Sequence, residues 1–383
     1  MKKLNQKLIE EKKNSKKNWE KVCKNFPVLP SILPAVRRII VIGDIHGDYD
    51  RALETLKIAG LIPKETNNDV KLEDIIWTGL DTIVVQLGDQ IDSCRPNNRY
   101  DSCHNKNITA NDKADDIKIL ELFTHLHNKA QNTDNNGAIY SIIEGDEKSD
   151  FDNEHNFKGR VISLLGNHEL MNVQGDLSYV SRKNIEIFSN NTDSSEDIIN
   201  GIENRKKIFS PGNKLANFLS CTRQAAVKIG RNLFIHGGVL PRIAKKFGVD
   251  DMNTILSLYL QKKLKYPQDY KEILDRHEFS PFYNRSYAVN KNENEYCEKL
   301  IEPVLKKYQI DRMIVGHTPQ LDGIKAACND KVILADYGCS NTFDKFRFNN
   351  SAEIQVLEIL KDEDFYIIKK NNNDGKIIRK KLN

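Results

Sequence analysis

The sequence predicts an α/β fold of stacked layers, and two of its features carry that prediction. Short apolar runs, rich in Ile and Val and without alternation, open the segments IIVIGDIHGD (39–48), TIVVQLGDQID (82–92), RVISLLGNHE (160–169), NLFIHGG (232–238) and RMIVGHT (312–318), and each stops abruptly at Gly or a polar cluster. Unalternating runs of this kind suit strands buried on both faces. Between them, DRALETLKIAG (50–60) and DDIKILELFTHLH (115–127) space their apolar residues helically, as Ile117, Leu120 and Phe123 do in the second. Strand then helix, repeated, means layers.

Taken in order, residues 1–24 read as a basic helix with Leu4, Leu8, Trp19 and Val22 as sparse apolar points, after which Pro27, Pro30 and Pro34 break any helix. The expected organisation is a helical appendage with a Pro linker over 1–34, one domain over 35–370 and a basic tail over 371–383. Asn-rich loops at 97–113, 131–137 and 189–200 read as excursions from the core. Residues 180–225 and 241–300 read as helical insertions that wall a site. VILADYG (332–338), AEIQVLEIL (352–360) and DFYIIKK (364–370) read as closing strands.

A chain of 383 residues is long for one compact domain and excludes a peptide hormone or a disulfide miniprotein. Its 58 Lys and Arg nearly cancel 54 Asp and Glu, so the whole chain is no electrostatic nucleic-acid binder. The imbalance is local: residues 1–24 hold nine Lys against three Glu, a net of +6 that exceeds the entire chain's +4. That run reads as a solvated face, with contact to nucleic acid or an anionic membrane as the less favoured reading. No run approaches the ~18 apolar residues of a membrane helix, and the start lacks a signal-peptide core, so a cytoplasmic location is expected. Seven scattered cysteines, an odd number, fit free thiols in a reducing compartment better than a disulfide framework.

The residues able to do chemistry share one placement. Asp44 and His46 follow the first run, Asp89 and Asp92 the second, Asn167 and His168 the third, His236 the fourth and His317 the fifth. In an open α/β sheet the carboxyl ends of strands face one crevice, so turns distant in sequence converge there. Each match alone is weak, because a Gly-Asp turn usually closes an Asx loop and a lone His is usually structural. Four of nine histidines at such ends shift the balance.

GDIHGD, GDQID, GNHE, HGG and GHT, in that order, resemble the calcineurin-like metallophosphoesterases, and more narrowly the phosphoprotein phosphatases; GNHELMNVQGDLSYV (166–180) is similar to their Shewanella-like branch. The resemblance covers roughly residues 38 to 340. It implies a mixed β-sandwich flanked by helices, the four-layer fold of that family, and a phosphomonoesterase acting through a dimetal-activated hydroxide on a phosphorylated protein. Asp44 and His46 would serve one divalent ion, Asn167, His236 and His317 a second, and Asp89 would bridge both. The side chains suit this unaided, since mixed O and N ligation without sulfur favours Mn first, with Fe or Zn as alternates. His168 would protonate the leaving alkoxide, kept charged for that purpose by Asp92.

Departures from the family pattern weigh equally. Where the family reads GDxxDRG, with Arg gripping phosphate, this chain has Ser93. Arg95, two residues on, and Arg285 within FSPFYNRSYA (279–288) are the candidate grips, a surface ion pair being the plain reading of either. Cys94, Cys103 and His104 lack the second pair that a zinc knuckle wants; a regulatory Cys94–Cys103 disulfide is the sharper reading and free thiols the plainer. Asp176 and Tyr179 either line the site or pack beneath the third loop. Three rivals stand beside the phosphatase: a nucleotide or dinucleoside polyphosphate hydrolase, a catalytically silent phosphate-binding or scaffold protein of the same fold, and a nucleic-acid-end phosphatase recruited by the basic N-terminus.

Overall fold

The apolar runs become the buried strands of two mixed sheets in the computed structural model, which describes residues 2–96, 101–132, 158–189, 195–289, 294–347, 353–371 and 374–382. Parts of the three Asn-rich loops, residues 97–100, 133–137 and 190–194, lie outside these. The first sheet centres on parallel strands β2 (Arg38–Ile42), β3 (Ile83–Gln86), β4 (Arg160–Leu164) and β5 (Arg223–Gln224). Antiparallel β11 (Gln355–Leu360), β12 (Asp364–Lys370) and β13 (Ile377–Lys381) extend it on the β2 side. The second sheet runs β1 (Ile32–Leu33), β6 (Ala226–Ile229), β7 (Asn232–Ile235), β8 (Arg312–Val315), β10 (Val332–Leu334), β9 (Lys325–Ala327).

Both faces of the central strands are covered, which is why their runs do not alternate. In β7, Phe234 turns into the core shared by the two sheets, while Leu233 and Ile235 turn into a second core beneath helices. Ile314 of β8 faces the shared core, and Met313 and Val315 the other. Helices Tyr49–Ile58 and Asp116–Asn132 cover the first sheet, contributing Leu53, Leu56, Ile119 and Phe123 to the shared core. The two insertions supply much of the second core through helices such as Ser195–Phe209, Lys214–Thr222 and Val249–Leu260. The result is a helix-flanked pair of mixed sheets, as expected.

Register then does what the site needs. Ile42 lies opposite Gln86 and Gln86 opposite Ser163, so β2, β3 and β4 end level. In the other sheet Ile235 lies opposite Val315, and Val315 opposite Leu334. All six turns that follow therefore open at one edge.

Three expectations are corrected. The basic N-terminal stretch is no free appendage: helix Lys2–Val22 lies against the body, burying Leu8 in the second core. Its inaccessible Glu11 accepts the backbone N–H groups of Lys265 and Tyr266, and Lys12 pairs with Asp250 and Asp251. Sparse apolar points were enough because a buried carboxylate satisfied by backbone donors, and ion pairs, supplement them. The basic tail is an exposed edge strand, β13, paired with β12. Six of the seven cysteines pair, Cys23 with Cys221, Cys94 with Cys103 and Cys297 with Cys328, leaving Cys339 free and buried. Two of these bridges join segments 198 and 31 residues apart, a proximity that only the fold creates. No described helix is long and apolar enough to cross a membrane.

Candidate metal centre

Each strand end bends sharply before releasing its polar side chain. His46, Asp89, Asp92 and His317 all hold left-handed backbone, at φ 48°, 48°, 68° and 68°. Non-glycine residues adopt that region at a cost, and such outliers cluster where surrounding structure over-determines a functional geometry. The turns after β3 and β4 also approach so closely that a Cβ on Gly166 would collide with Asp89, and one on Gly88 (φ 99°) would meet the Gly166 nitrogen at 2.5 Å. Glu169, fully buried, ties these turns together. Its carboxylate accepts the N–H groups of Gly166, Asp89, Gln90 and Ile91 at 2.7, 3.0, 2.7 and 3.2 Å. Its place in GNHE was visible in the sequence, but its clamping role was not.

The side chains expected to bind metal meet here. Asp89 Oδ2 lies 3.8 Å from His46 Nε2, 3.9 Å from His168 Nε2 and 3.3 Å from His236 Nε2. Asp44 Oδ2 is 3.8 Å from His46 Nε2, and Asn167 Oδ1 is 2.9 Å from His236 Nε2. Two clusters result, His46–Asp89–His168 and Asp89–His236–His317, each with ligand atoms within 4.8 Å of one another.

Burial and neighbouring charges shift most of these groups. Burial pushes the Asp44 carboxyl well above its usual range, and the neighbouring Asp336 and Asp89 charges add to the push. Burial works on Asp89 in the same direction, yet His236 and His168 outweigh it and hold that carboxyl well below its usual range. His46 and His317 are driven well below the imidazole range by burial, reinforced by Arg95 for the first and His236 for the second. For His236 burial opposes charging but Asp89 prevails, and the ring is raised.

Donor chemistry fits cations. His236 Nδ1 lies 2.8 Å from the Leu87 carbonyl, which fixes the proton there and turns the Nε2 lone pair toward the Asn167 and Asp89 oxygens. Among the described residues, neither ring nitrogen of buried His317 nor Asp336 Oδ2, after β10, finds a hydrogen-bond partner. Asp336, pushed up to about 6 by burial, is a carboxylate that sequence reading passed over in VILADYG. Buried acceptors left unpaired call for a donor or an ion.

Around this centre stand the remaining candidates. His168 Nδ1 is 2.9 Å from Asp92 Oδ2. Arg95 reaches in from the disulfide-closed loop, its Nη2 2.7 and 2.9 Å from the ring nitrogens of His46 and 3.3 Å from His168 Nε2. The plain reading of Arg95 as a surface ion pair therefore falls. Its guanidinium lies between Tyr179 and Phe343, 5.2 and 5.3 Å from their ring centres, and Tyr179 also packs edge-on against His168. Arg285 stands on the other side, its Nη1 donating to the His317 carbonyl at 2.7 Å. Ser93 turns away to Asp112, Asp176 pairs outside the centre with Arg276, and His104 meets the Leu177 carbonyl at 3.0 Å. With Cys94 and Cys103 bridged, nothing of a zinc knuckle remains. Phe343, beside His46, had no sequence signal because it lies in a short helical turn outside every motif.

A family model for calcineurin-like phosphoesterases matches residues 37–321, the span that carries these turns. The chain belongs to that family. This calcineurin-like phosphoesterase is 35% identical over 252 residues to "Uncharacterized protein R398" of Acanthamoeba polyphaga mimivirus, covering 58% of this chain and 99% of the viral one. It is 25% identical over 367 residues to "Shewanella-like protein phosphatase 2" of Arabidopsis thaliana, covering 87% and 78%. Among solved structures, a cold-active protein-tyrosine phosphatase of a psychrophilic Shewanella species superimposes with a TM-score of 0.59 at 20% identity, over 93% of this chain and 83% of the other. That likeness bears on the fold. The calcineurin-like phosphoesterase is thus a hydrolase of phosphate esters that resembles the Shewanella-like phosphatases.

Proposed function

We propose that this phosphoesterase is a metal-dependent phosphomonoesterase acting on phosphorylated proteins. The observation that carries the reading is a set of buried oxygen and nitrogen acceptors around Asp89, with an arginine on each side. Asp44, His46 and Asp89 would hold one divalent ion, and Asp89, Asn167, His236 and His317 the other, manganese first among the ions such ligands suit. Bound there, the pair supplies Lewis acidity toward phosphoryl oxygens and acidifies water.

The chain's own groups do the rest. Arg95 and Arg285 offer N–H donors to phosphate oxygens, and Arg95 stands two residues from where the family's motif arginine would be. His168 gives its Nε2 proton to the leaving alkoxide, while its Nδ1 stays fixed on Asp92. Tyr179 and Phe343 shield Arg95 and exclude water beside it. The Arabidopsis relative, named a protein phosphatase, supports a phosphoprotein over a free nucleotide.

Protein loaded with Mn should hydrolyse an aryl phosphate and a phosphopeptide, and a chelator should abolish both activities. A protein that binds two ions yet turns over neither would be a silent binder, and faster cleavage of a nucleoside triphosphate or dinucleoside polyphosphate than of phosphopeptide would overturn the substrate class.

A further inference from the structure

We propose that Arg205, carried by the first helical insertion, is a positioning residue that orients the Asp92 carboxylate toward His168. The inference rests on reading His168 as the proton donor. Arg205 lies on helix Ser195–Phe209 and is fully buried. Burying a guanidinium is costly unless each of its donors finds a partner. Nε donates to Asn172 Oδ1 at 2.9 Å, Nη1 to the Asn184 carbonyl at 3.0 Å and Nη2 to Asp116 Oδ2 at 2.8 Å. The rings of Phe188 and Phe209 lie 5.4 and 5.0 Å away.

Two of those three partners lead directly to Asp92. Asn172 Nδ2 lies 3.0 Å from both Asp92 oxygens and 3.0 Å from the His168 carbonyl. Asp116 accepts the Asp92 backbone N–H through Oδ1 at 3.1 Å, while its other oxygen takes Arg205. Arg205 Nη2 itself stands 3.6 Å from Asp92 Oδ1. Arg205 and Asp116 hold Asp92 at Oδ1 and the backbone N–H, and Asn172 Nδ2 bridges the two oxygens, with Oδ2 turned to His168 Nδ1. Asp92 also holds left-handed backbone, so it needs restraint from outside its own turn.

Charge makes the same point. Asp92 and Asp116 are both inaccessible, and Arg205 is the cation that pairs with the two of them. Without it, two carboxylates repel where water cannot screen them, and Asp92 loses its aim. The Nε link to Asn172, whose Nδ2 in turn meets Asp92, is what ties the guanidinium to the reacting pair.

The test uses full-length, Mn-loaded protein and two substrates, phenyl phosphate with a poor leaving group and p-nitrophenyl phosphate with a good one. For Arg205→Met we expect kcat on phenyl phosphate to fall about thirtyfold and on p-nitrophenyl phosphate less than about threefold, with KM and metal content unchanged. Arg205→Lys, which keeps charge but lacks the fork, should recover part of the selective loss. Equal losses on both substrates, or no loss, would overturn the proposal. Should Arg205→Met not fold, Asn172→Ala decides in its place: it leaves the Arg205–Asp116 pair intact and must show the same selective loss. His168→Ala in the same assay separates the two ideas. If that variant loses both substrates equally, the proton-donor reading has failed; if it loses phenyl phosphate selectively and the Arg205 and Asn172 variants do not, only the positioning role has.

Discussion

The two sides of the centre are built differently. On one side His236 and His317 follow adjacent strands β7 and β8, with Nδ1 of the first at the Leu87 carbonyl and the backbone N–H of the second on Asp44. Arg285 there is exposed and donates to the His317 carbonyl. On the other side His46 and His168 face Arg95, half-buried between Tyr179 and Phe343 and delivered by a loop closed by Cys94–Cys103. The strand side is held by sheet register, the loop side by packing of aromatic rings and a cross-link. The proposed ligands therefore rest on the core, whereas the proposed grip on phosphate rests on loops, and the two should fail separately.

Asp89 belongs to both sides and its loss breaks the contrast altogether. Asp89→Asn should lower turnover about thousandfold and leave fewer than two bound ions by elemental analysis. Next in size, His168→Ala should cost about a hundredfold with phenyl phosphate and much less with p-nitrophenyl phosphate, metal content being retained. The arginines sharpen the comparison: Arg95→Ala should reduce kcat/KM about thirtyfold and Arg285→Ala about fivefold, because the first is shielded and the second competes with water. Equal losses would mean that shielding does not matter. Smallest in its effect on activity is Leu8→Ala under the docked N-terminal helix, which should cost about 3 kcal/mol of stability, read as a lowered Tm, with kcat unchanged. A fall in kcat would show that the two sides depend on that helix.

How much of this was legible follows from which interactions are local. Strands β2, β3, β4, β7 and β8 were readable because burial on both faces demands unbroken Ile and Val, a demand written into a few consecutive residues. That Asp44, His46, Asp89, Asn167, His236 and His317 would come together was readable because each sits at the end of such a run. Glu169 stands in a visible motif, but its role is not legible there, since its four backbone partners include three from another turn. Asp116 and Arg205 gave no signal, being ordinary polar residues on helices, and Asn172 stood within a motif segment without its role being legible there. The docking of the N-terminal helix escaped for a related reason: eight of the nine lysines are exposed, as a solvated face should be, but Asp269, Asp250 and Asp251, which pair with Lys7 and Lys12, lie in a distant segment.

By itself the sequence determined the layers, the order of the turns and the residues that end them, because hydrophobic runs and turn chemistry act over a handful of neighbours. Tertiary structure alone decided which cysteines pair, that Arg95 rather than Ser93 reaches the centre, and that a guanidinium from an insertion lies beneath Asp92. Those outcomes depend on contacts between segments tens to hundreds of residues apart. No local pattern encodes a distance that only the packed chain creates.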